Sequence, residues 1–268
     1  MIDKGKHFLL GINVSAVDYE KAVNLIVKAA VDGRALAVSA LAVHGVMTGY
    51  LDPVHRRRLN GIDLVLPDGQ PVRWGLRLLY KISLPDRVYG PELTLRVLEV
   101  AGEKKLPVYI YGSTEKTSKL FALNMKKRFP GLIIAGREPS KFRRLGLDER
   151  NDLVNRIKQS GARIVLVGLG CPRQEVWVYE YRNLLHIPLL AVGAAFDFHA
   201  GLLCQAPVWM QRKGLEWLFR LRHEPTRLWK RYLMLNPYYT VILLMQFLGL
   251  KNIPVVMPDG QEHIESYG

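Results

Sequence analysis

From Ala35 to Val192, short apolar runs of strand character take turns with segments of helical period. The strands read as Ala35–Ser39, Asp63–Leu66, Pro107–Tyr111, Leu132–Ala135, Arg163–Val167 and Pro188–Val192. Between them lie helical stretches at about Ala42–Leu51, Pro71–Leu79, Glu115–Phe129, Asp148–Gln159 and Arg173–Asn183. A strand feeding a helix and then another strand is the βαβ unit, which buries a parallel sheet between helical layers. The predicted fold class is therefore α/β, a Rossmann-like, mostly parallel sheet flanked by helices. The alternation stops near Gln205-Ala206-Pro207. That point divides an α/β core, residues 1–205, from a helical, basic, Trp-rich C-terminal appendage and tail, residues 206–268.

Charge sharpens the division. The whole chain carries 38 Lys+Arg against 24 Asp+Glu, a net +14. Such an excess points to a polyanionic partner: nucleic acid, an anionic membrane or a phosphorylated substrate. From Gln211 to Arg231 there are seven cations and only two acids, and Tyr232–Leu250 then has no charged residue. A basic, Trp-containing segment beside an uncharged run suits a lipid surface better than a nucleic-acid backbone. The uncharged run fits a membrane span, an interfacial helix or a helix packed in a homo-oligomer. Asn236-Pro237 interrupts its start, and the shorter apolar remainder favours the last two. Lys251–Gly268, with Pro254, Pro258 and Gly260, reads as a loose tail. Two cysteines, Cys171 and Cys204, exclude a disulfide-stapled scaffold, and no Cys/His cluster suggests zinc. The apolar run Phe8-Leu9-Leu10 is too short for a signal peptide, so a cytoplasmic start is expected.

In open parallel sheets, ligands gather outside the carboxyl ends of the strands. Four turns fall there. Gly112-Ser113-Thr114 offers backbone N–H groups and hydroxyls at a helix start, suited to phosphate or to simple capping. Gly168-Leu169-Gly170-Cys171-Pro172-Arg173-Gln174-Glu175 approaches a dinucleotide fingerprint, but Arg173 stands where the third glycine belongs. Gln174 and Glu175 in its first helical turn could hold sugar hydroxyls, or Glu175 could serve as a capping acid. Gly193-Ala194-Ala195-Phe196-Asp197 leaves room for a ligand, with Asp197 and His199 placed to grip a sugar or to brace the fold. Leu66-Pro67-Asp68-Gly69 closes a buried strand and opens a helix, which puts the Asp68 carboxylate at the ligand edge. A transfer reaction needs a base for the acceptor hydroxyl's proton, and Asp68 is the candidate. Arg87 is a candidate bidentate partner for a diphosphate, with a surface pair to Asp86 or Glu92 as its plain alternative. No Asp-x-Asp pair of the metal-holding kind is present, so no metal is expected.

Taken in order, these runs, with Arg87-Val88-Tyr89-Gly90, Ala206-Pro207, Gly214-Leu215-Glu216-Trp217-Leu218-Phe219-Arg220-Leu221 and Glu224-Pro225, resemble the bacterial WecG/TagA/CpsF glycosyltransferase family over about residues 8–235. The resemblance implies inverting, metal-independent transfer from a UDP-sugar to a polyprenyl-diphosphate-linked sugar, by an enzyme peripheral on the inner face of the cell membrane. Such enzymes serve teichoic-acid, common-antigen and exopolysaccharide assembly. As a sugar transferase with a UDP-sugar as donor substrate, the chain is expected to need no cofactor. Carried over by position, Asp68 matches the base, and Arg87 and Gln174 match the substrate pocket. Arg220 and Arg227, with Lys230 or Arg231, match cations of an appendage that closes over the site and meets diphosphate. One position departs: where the family usually has Thr-x-Asn, this chain has Ser39-Ala40-Leu41. Ser39 keeps a hydroxyl, while Leu41 removes an amide, which leaves the donor open between an N-acetylmannosamine type and a neutral hexose such as glucose. An NAD-dependent oxidoreductase and a basic nucleic-acid-binding protein are the alternatives, weakened by the missing glycine and by the uncharged run, so no nucleic-acid partner is expected.

Overall fold

The computed structural model describes residues 1–254 and 264–268. The chain opens with an antiparallel hairpin, β1 (Asp3–Leu9) and β2 (Ile12–Val17), followed by α1 (Tyr19–Asp32). Next come β3 (Leu36–Leu41), α2 (Val43–Leu51), α3 (Pro53–Asn60), β4 (Leu64–Pro67), α4 (Gln70–Tyr80) and α5 (Gly90–Glu103). They are followed by β5 (Val108–Gly112), α6 (Glu115–Arg128), β6 (Ile134–Glu138), α7 (Leu147–Gln159), β7 (Ile164–Gly168), α8 (Arg173–Leu185), β8 (Pro188–Ala191) and α9 (Ala195–His199). Beyond these lie α10 (Val208–Arg212), α11 (Glu216–His223), α12 (Pro225–Lys230), a π-helical turn (Arg231–Leu235) and α13 (Asn236–Phe247).

Six strands form one parallel sheet in the order β4-β3-β8-β7-β5-β6. The expected α/β class and its flanking helices are what the molecule has. Successive strand residues point to opposite faces, and both faces are covered. Ala37, Val65, Tyr109, Val165 and Leu189 join a core with α2, α4, α8 and α13. Their neighbours Val38, Leu64, Ile110, Ile164 and Leu190 join a second core with α1, α5 and α6. Because β3 and β4 lie on one side of β8 and β5 to β7 on the other, their carboxyl-end turns converge on a shared crevice.

Several elements lie outside the alternation read from sequence. The β1–β2 hairpin, α1, α3 and α5 are additions, each with a physical cause. In α3 the buried face carries His55, Arg56 and Arg58 beside a single aliphatic residue, Leu59. Arg56 donates to the carbonyls of Gly49 and Tyr50 at 3.0 and 2.6 Å, satisfying the open end of α2. Helix α5 begins with Gly90-Pro91, which looks like a turn but is a proline at the first helical positions. The tail is also corrected at its described end. Glu265 and Ser266 donate backbone N–H groups to Glu180 at 2.7 and 3.0 Å, and Ser140 Oγ bonds Gly268 O at 2.6 Å. Pro258 and Gly260 lie outside the described residues.

The run after residue 231 is neither a span nor a break. Among the described residues no helix is long and apolar enough to cross a membrane. Pro237 lacks the N–H a regular helix needs and crowds the preceding turn. The π-helical turn before it accommodates that defect, and the chain stays helical from Pro225 to Phe247. One face of α13 is docked: Tyr239, Ile242 and Leu243 are buried, and Tyr239 Oη donates to Pro71 O at 2.9 Å.

Candidate functional site

A cleft of about 950 Å³ lies at the carboxyl ends of β3, β4, β5, β7 and β8, and α11, α12 and the π-helical turn form its other wall. Fourteen of the residues singled out from sequence line it: Asp68, Arg87, Ser113, Gly168, Gly170, Arg173, Gln174, Glu175, Gly193, Asp197, Arg220, Arg227, Lys230 and Arg231. Four do not. Ser39 is fully buried behind Glu175, and Gly112 and Pro172 shape backbone only. Phe196 corrects the expectation of a ligand contact: its ring is buried, stacked on Phe121 at 4.7 Å and pressed over Gly168. Phe198 lines the cleft instead. His199 bonds the Pro91 carbonyl at 2.9 Å and takes the structural role.

Asp68 sits where β4 ends, and the turn that follows aims its carboxyl into the cleft. Oδ1 accepts the backbone N–H of Gly90 at 2.7 Å, which fixes the group's orientation. Burial pushes its pKa up to about 6, against the pull of Arg87 and of the Gly90 hydrogen bond, with Glu216 adding to the rise. A carboxyl poised near neutrality is suited to accept a proton and later release it.

Arg87 pairs with neither Asp86 nor Glu92. Its Nη2 donates to Glu216 Oε2 at 2.5 Å and to Gln211 Oε1 at 3.2 Å. Its guanidinium lies 4.0 Å from the centre of the Tyr89 ring, and Tyr89 Oη donates to Glu216 Oε1 at 2.9 Å.

Across the cleft, the glycine turns let backbone approach closely. Gly112 has φ 105°, and a Cβ there would lie 2.9 Å from the Gly168 backbone. Gly193 has φ 45°, and a Cβ would lie 2.8 Å from Gln174 Oε1. That space is taken by Gln174, which accepts from Gly170 N at 3.2 Å and donates to Glu175 Oε1 at 2.8 Å. Ser39 Oγ donates to the same carboxyl oxygen at 3.2 Å. Burial raises the Glu175 pKa, against the pull of the hydrogen bonds it receives from Gln174 and Ser39. Leu41 is buried in the cleft floor, and its side chain occupies the space a Cβ on Gly45 would need.

The opposite wall is cationic. Arg227 pairs with Glu224 at 2.5 Å, and Arg220 reaches Glu224 at 3.4 Å and faces the Phe198 ring. Arg231 is partly buried beside Cys171, and burial lowers its pKa. Six cations and four acids line the cleft among the described residues. This wall can meet a multiply charged anion while Asp68 offers a base, an arrangement fitted to displacing a phosphate leaving group. Sequence reasoning missed Tyr89, Phe142, His44 and Glu216 as lining residues. The available signal was an acid, Glu216, inside an otherwise basic stretch.

Comparison with known proteins gives two concordant results. Residues 7–253 match a family described as the glycosyl transferase WecG/TagA/CpsF family. A Bacillus spizizenii protein named N-acetylglucosaminyldiphosphoundecaprenol N-acetyl-beta-D-mannosaminyltransferase is 31% identical over 193 residues, 72% of each chain. A protein of the same name from Bacillus subtilis is 31% identical over 186 residues, covering 69% of this chain and 70% of its own.

Proposed function

The chain belongs to the WecG/TagA/CpsF glycosyltransferase family, and from that membership we propose inverting transfer of a sugar from a UDP-sugar to a polyprenyl-diphosphate-linked sugar, in cell-surface polysaccharide assembly. The observation that carries the reading is Asp68: an oriented carboxyl with its pKa near 6, in a cleft whose far wall is cationic. In the proposed step the acceptor hydroxyl gives its proton to Asp68 as its oxygen bonds the anomeric carbon. The bond from that carbon to the UDP oxygen breaks, and the electron pair leaves with UDP. Arg220, Arg227, Lys230 and Arg231 offset the charge that develops on the diphosphate, which is the duty a metal ion performs in other transferases.

The relatives' name speaks of N-acetylmannosamine passed to an N-acetylglucosamine-bearing lipid. A donor of that type is the first reading here. Leu41 supports a second, a neutral hexose such as glucose, because its side chain can offer no hydrogen bond to the amide of an acetamido group. The membrane face of the proposal rests on α12 and α13. Trp229, Leu233, Val241, Leu244 and Leu248 are exposed while Tyr239, Ile242 and Leu243 are docked, and Lys230 sits over the Trp229 ring. The test is incubation with a synthetic polyprenyl-diphosphate N-acetylglucosamine and a panel of UDP-sugars, with products weighed by mass spectrometry. The expected result is one added hexosamine or hexose from a single donor. No transfer from any UDP-sugar would overturn the reading.

A further inference from the structure

We propose that Glu216 is a positioning residue: its carboxylate, seated between Arg87 and Tyr89, holds the appendage in register over the cleft and fixes the Arg87 guanidinium that faces the base. The proposal rests on the function proposed above and adds a residue to it.

The geometry has three parts. First, the two oxygens of Glu216 have separate duties, Oε2 with Arg87 at 2.5 Å and Oε1 with the Tyr89 hydroxyl at 2.9 Å. One carboxylate is thus tied at both ends to the segment that enters α5. Second, the pair is largely buried: the side chains of Arg87 and Glu216 are 8% and 12% exposed. Removing one partner of a buried pair leaves the other charge uncompensated, which costs far more than losing a surface contact. Third, Gln211 on α10 bonds the same Arg87 nitrogen, so two appendage helices meet at one core residue. An arginine shared by Glu216 and Gln211, with its face on the Tyr89 ring, has few directions left for a ligand. Contact with diphosphate then falls to Arg220, Arg227, Lys230 and Arg231, and Arg87 acts as the socket into which the appendage locks.

The lock also bears on the base. The charged and titratable groups in the field of Asp68 are Arg87 from the segment before α5, Glu216 and Arg220 from α11, and Tyr19 and Tyr89, whose hydroxyls sense the Asp68 charge. Glu216 raises the Asp68 pKa, while Arg87 and Arg220 lower it. Removing the Glu216 charge would leave Arg87 acting on Asp68 alone, and the base would become weaker.

The test uses the full chain with Glu216→Gln, which keeps the shape and one acceptor oxygen. Hydrogen–deuterium exchange of residues 208–223 should speed up by ~10-fold or more relative to wild type, as expected for a broken buried pair. In transfer assays the acid limb of kcat/KM should move to lower pH, a change that a purely structural contact would not produce. Tyr89→Phe, which removes only the hydroxyl bonded to Oε1, should give a smaller exchange effect and guards against a folding failure in the first variant. Unchanged exchange in both variants overturns the proposal, and so does lost activity with an unmoved acid limb. If wild type transfers no sugar, the functional reading fails by itself, and the exchange data still judge Glu216 because they need no substrate.

Discussion

Asp68 holds a charge that burial resists. Its pKa stands near 6 rather than at the ordinary 3.8, so the ionised form needed for catalysis is the form the folded protein disfavours. Two outcomes follow at this residue. Activity depends on the deprotonated form, so kcat/KM should climb with pH through a midpoint near 6 and level off above it. Measuring the wild-type profile checks this, and a flat profile between pH 5 and 8 would contradict it. Stability should run the other way. Below the unfolded-state value the carboxyl is neutral in both states and contributes no difference. As pH rises through 4 to 6 the unfolded chain ionises freely while the folded chain does so at a cost of about 1.4 kcal/mol per pKa unit. Asp68→Asn should therefore be more stable than wild type at pH 7.5, by up to roughly 3 kcal/mol. The gain should vanish below about pH 4, readable by thermal melts at the two pH values. Asp68 was legible as a candidate because an Asp-Gly turn closing a strand puts a carboxyl at the ligand edge of a parallel sheet. Glu216 was not legible in that sense: it lies 129 residues from Arg87, and no local pattern announces so distant a partner.

At the scale of elements, α12, the π-helical turn and α13 form one helical stretch with two unlike faces. Tyr239, Ile242 and Leu243 are buried in the core, while Trp229, Leu233, Val241, Leu244 and Leu248 remain bare. Sequence reading took Asn236-Pro237 for an interruption. The proline defect is instead absorbed one turn earlier, which keeps the chain helical through it. Composition could show that the segment was apolar and flanked by cations, but only packing shows which half is spent on the core. Leu233→Glu with Val241→Glu should therefore lower retention on anionic phospholipid vesicles by ~10-fold or more while leaving UDP binding unchanged. Vesicle co-sedimentation and calorimetry read the two quantities. Retention equal to wild type would show that another surface meets the lipid. Trimming the whole appendage would be a poor substitute, since it would also strip Tyr239, Ile242 and Leu243 from the core.

For the molecule as a whole, the strand–helix alternation was enough to foresee the parallel sheet, because strands such as β4, β5, β7 and β8 are buried on both faces and read as apolar runs; the edge strand β6, half-buried and ending in Arg137-Glu138, is the exception. The hairpin β1–β2 escaped notice because Asp3, Lys4, Lys6 and His7 mask its pairing pattern. Helix α3 escaped because only Leu59 of its buried face is apolar, beside His55, Arg56 and Arg58. The cleft was legible turn by turn, since a parallel sheet gathers its carboxyl-end loops; the closing wall was legible only as charge. That wall sets one further expectation. With fixed cations facing the leaving diphosphate, transfer should persist in EDTA. Loss of activity on chelation, restored by magnesium or manganese, would assign that duty to a metal instead.

Whether Asp68 takes the acceptor's proton while UDP leaves is decided by single-turnover transfer to polyprenyl-diphosphate N-acetylglucosamine at pH 7.5, with wild type and Asp68→Asn side by side. The transfer rate should fall by about 10²–10⁴-fold in the variant, with UDP affinity by calorimetry close to wild type. Near-normal transfer by Asp68→Asn would contradict that role.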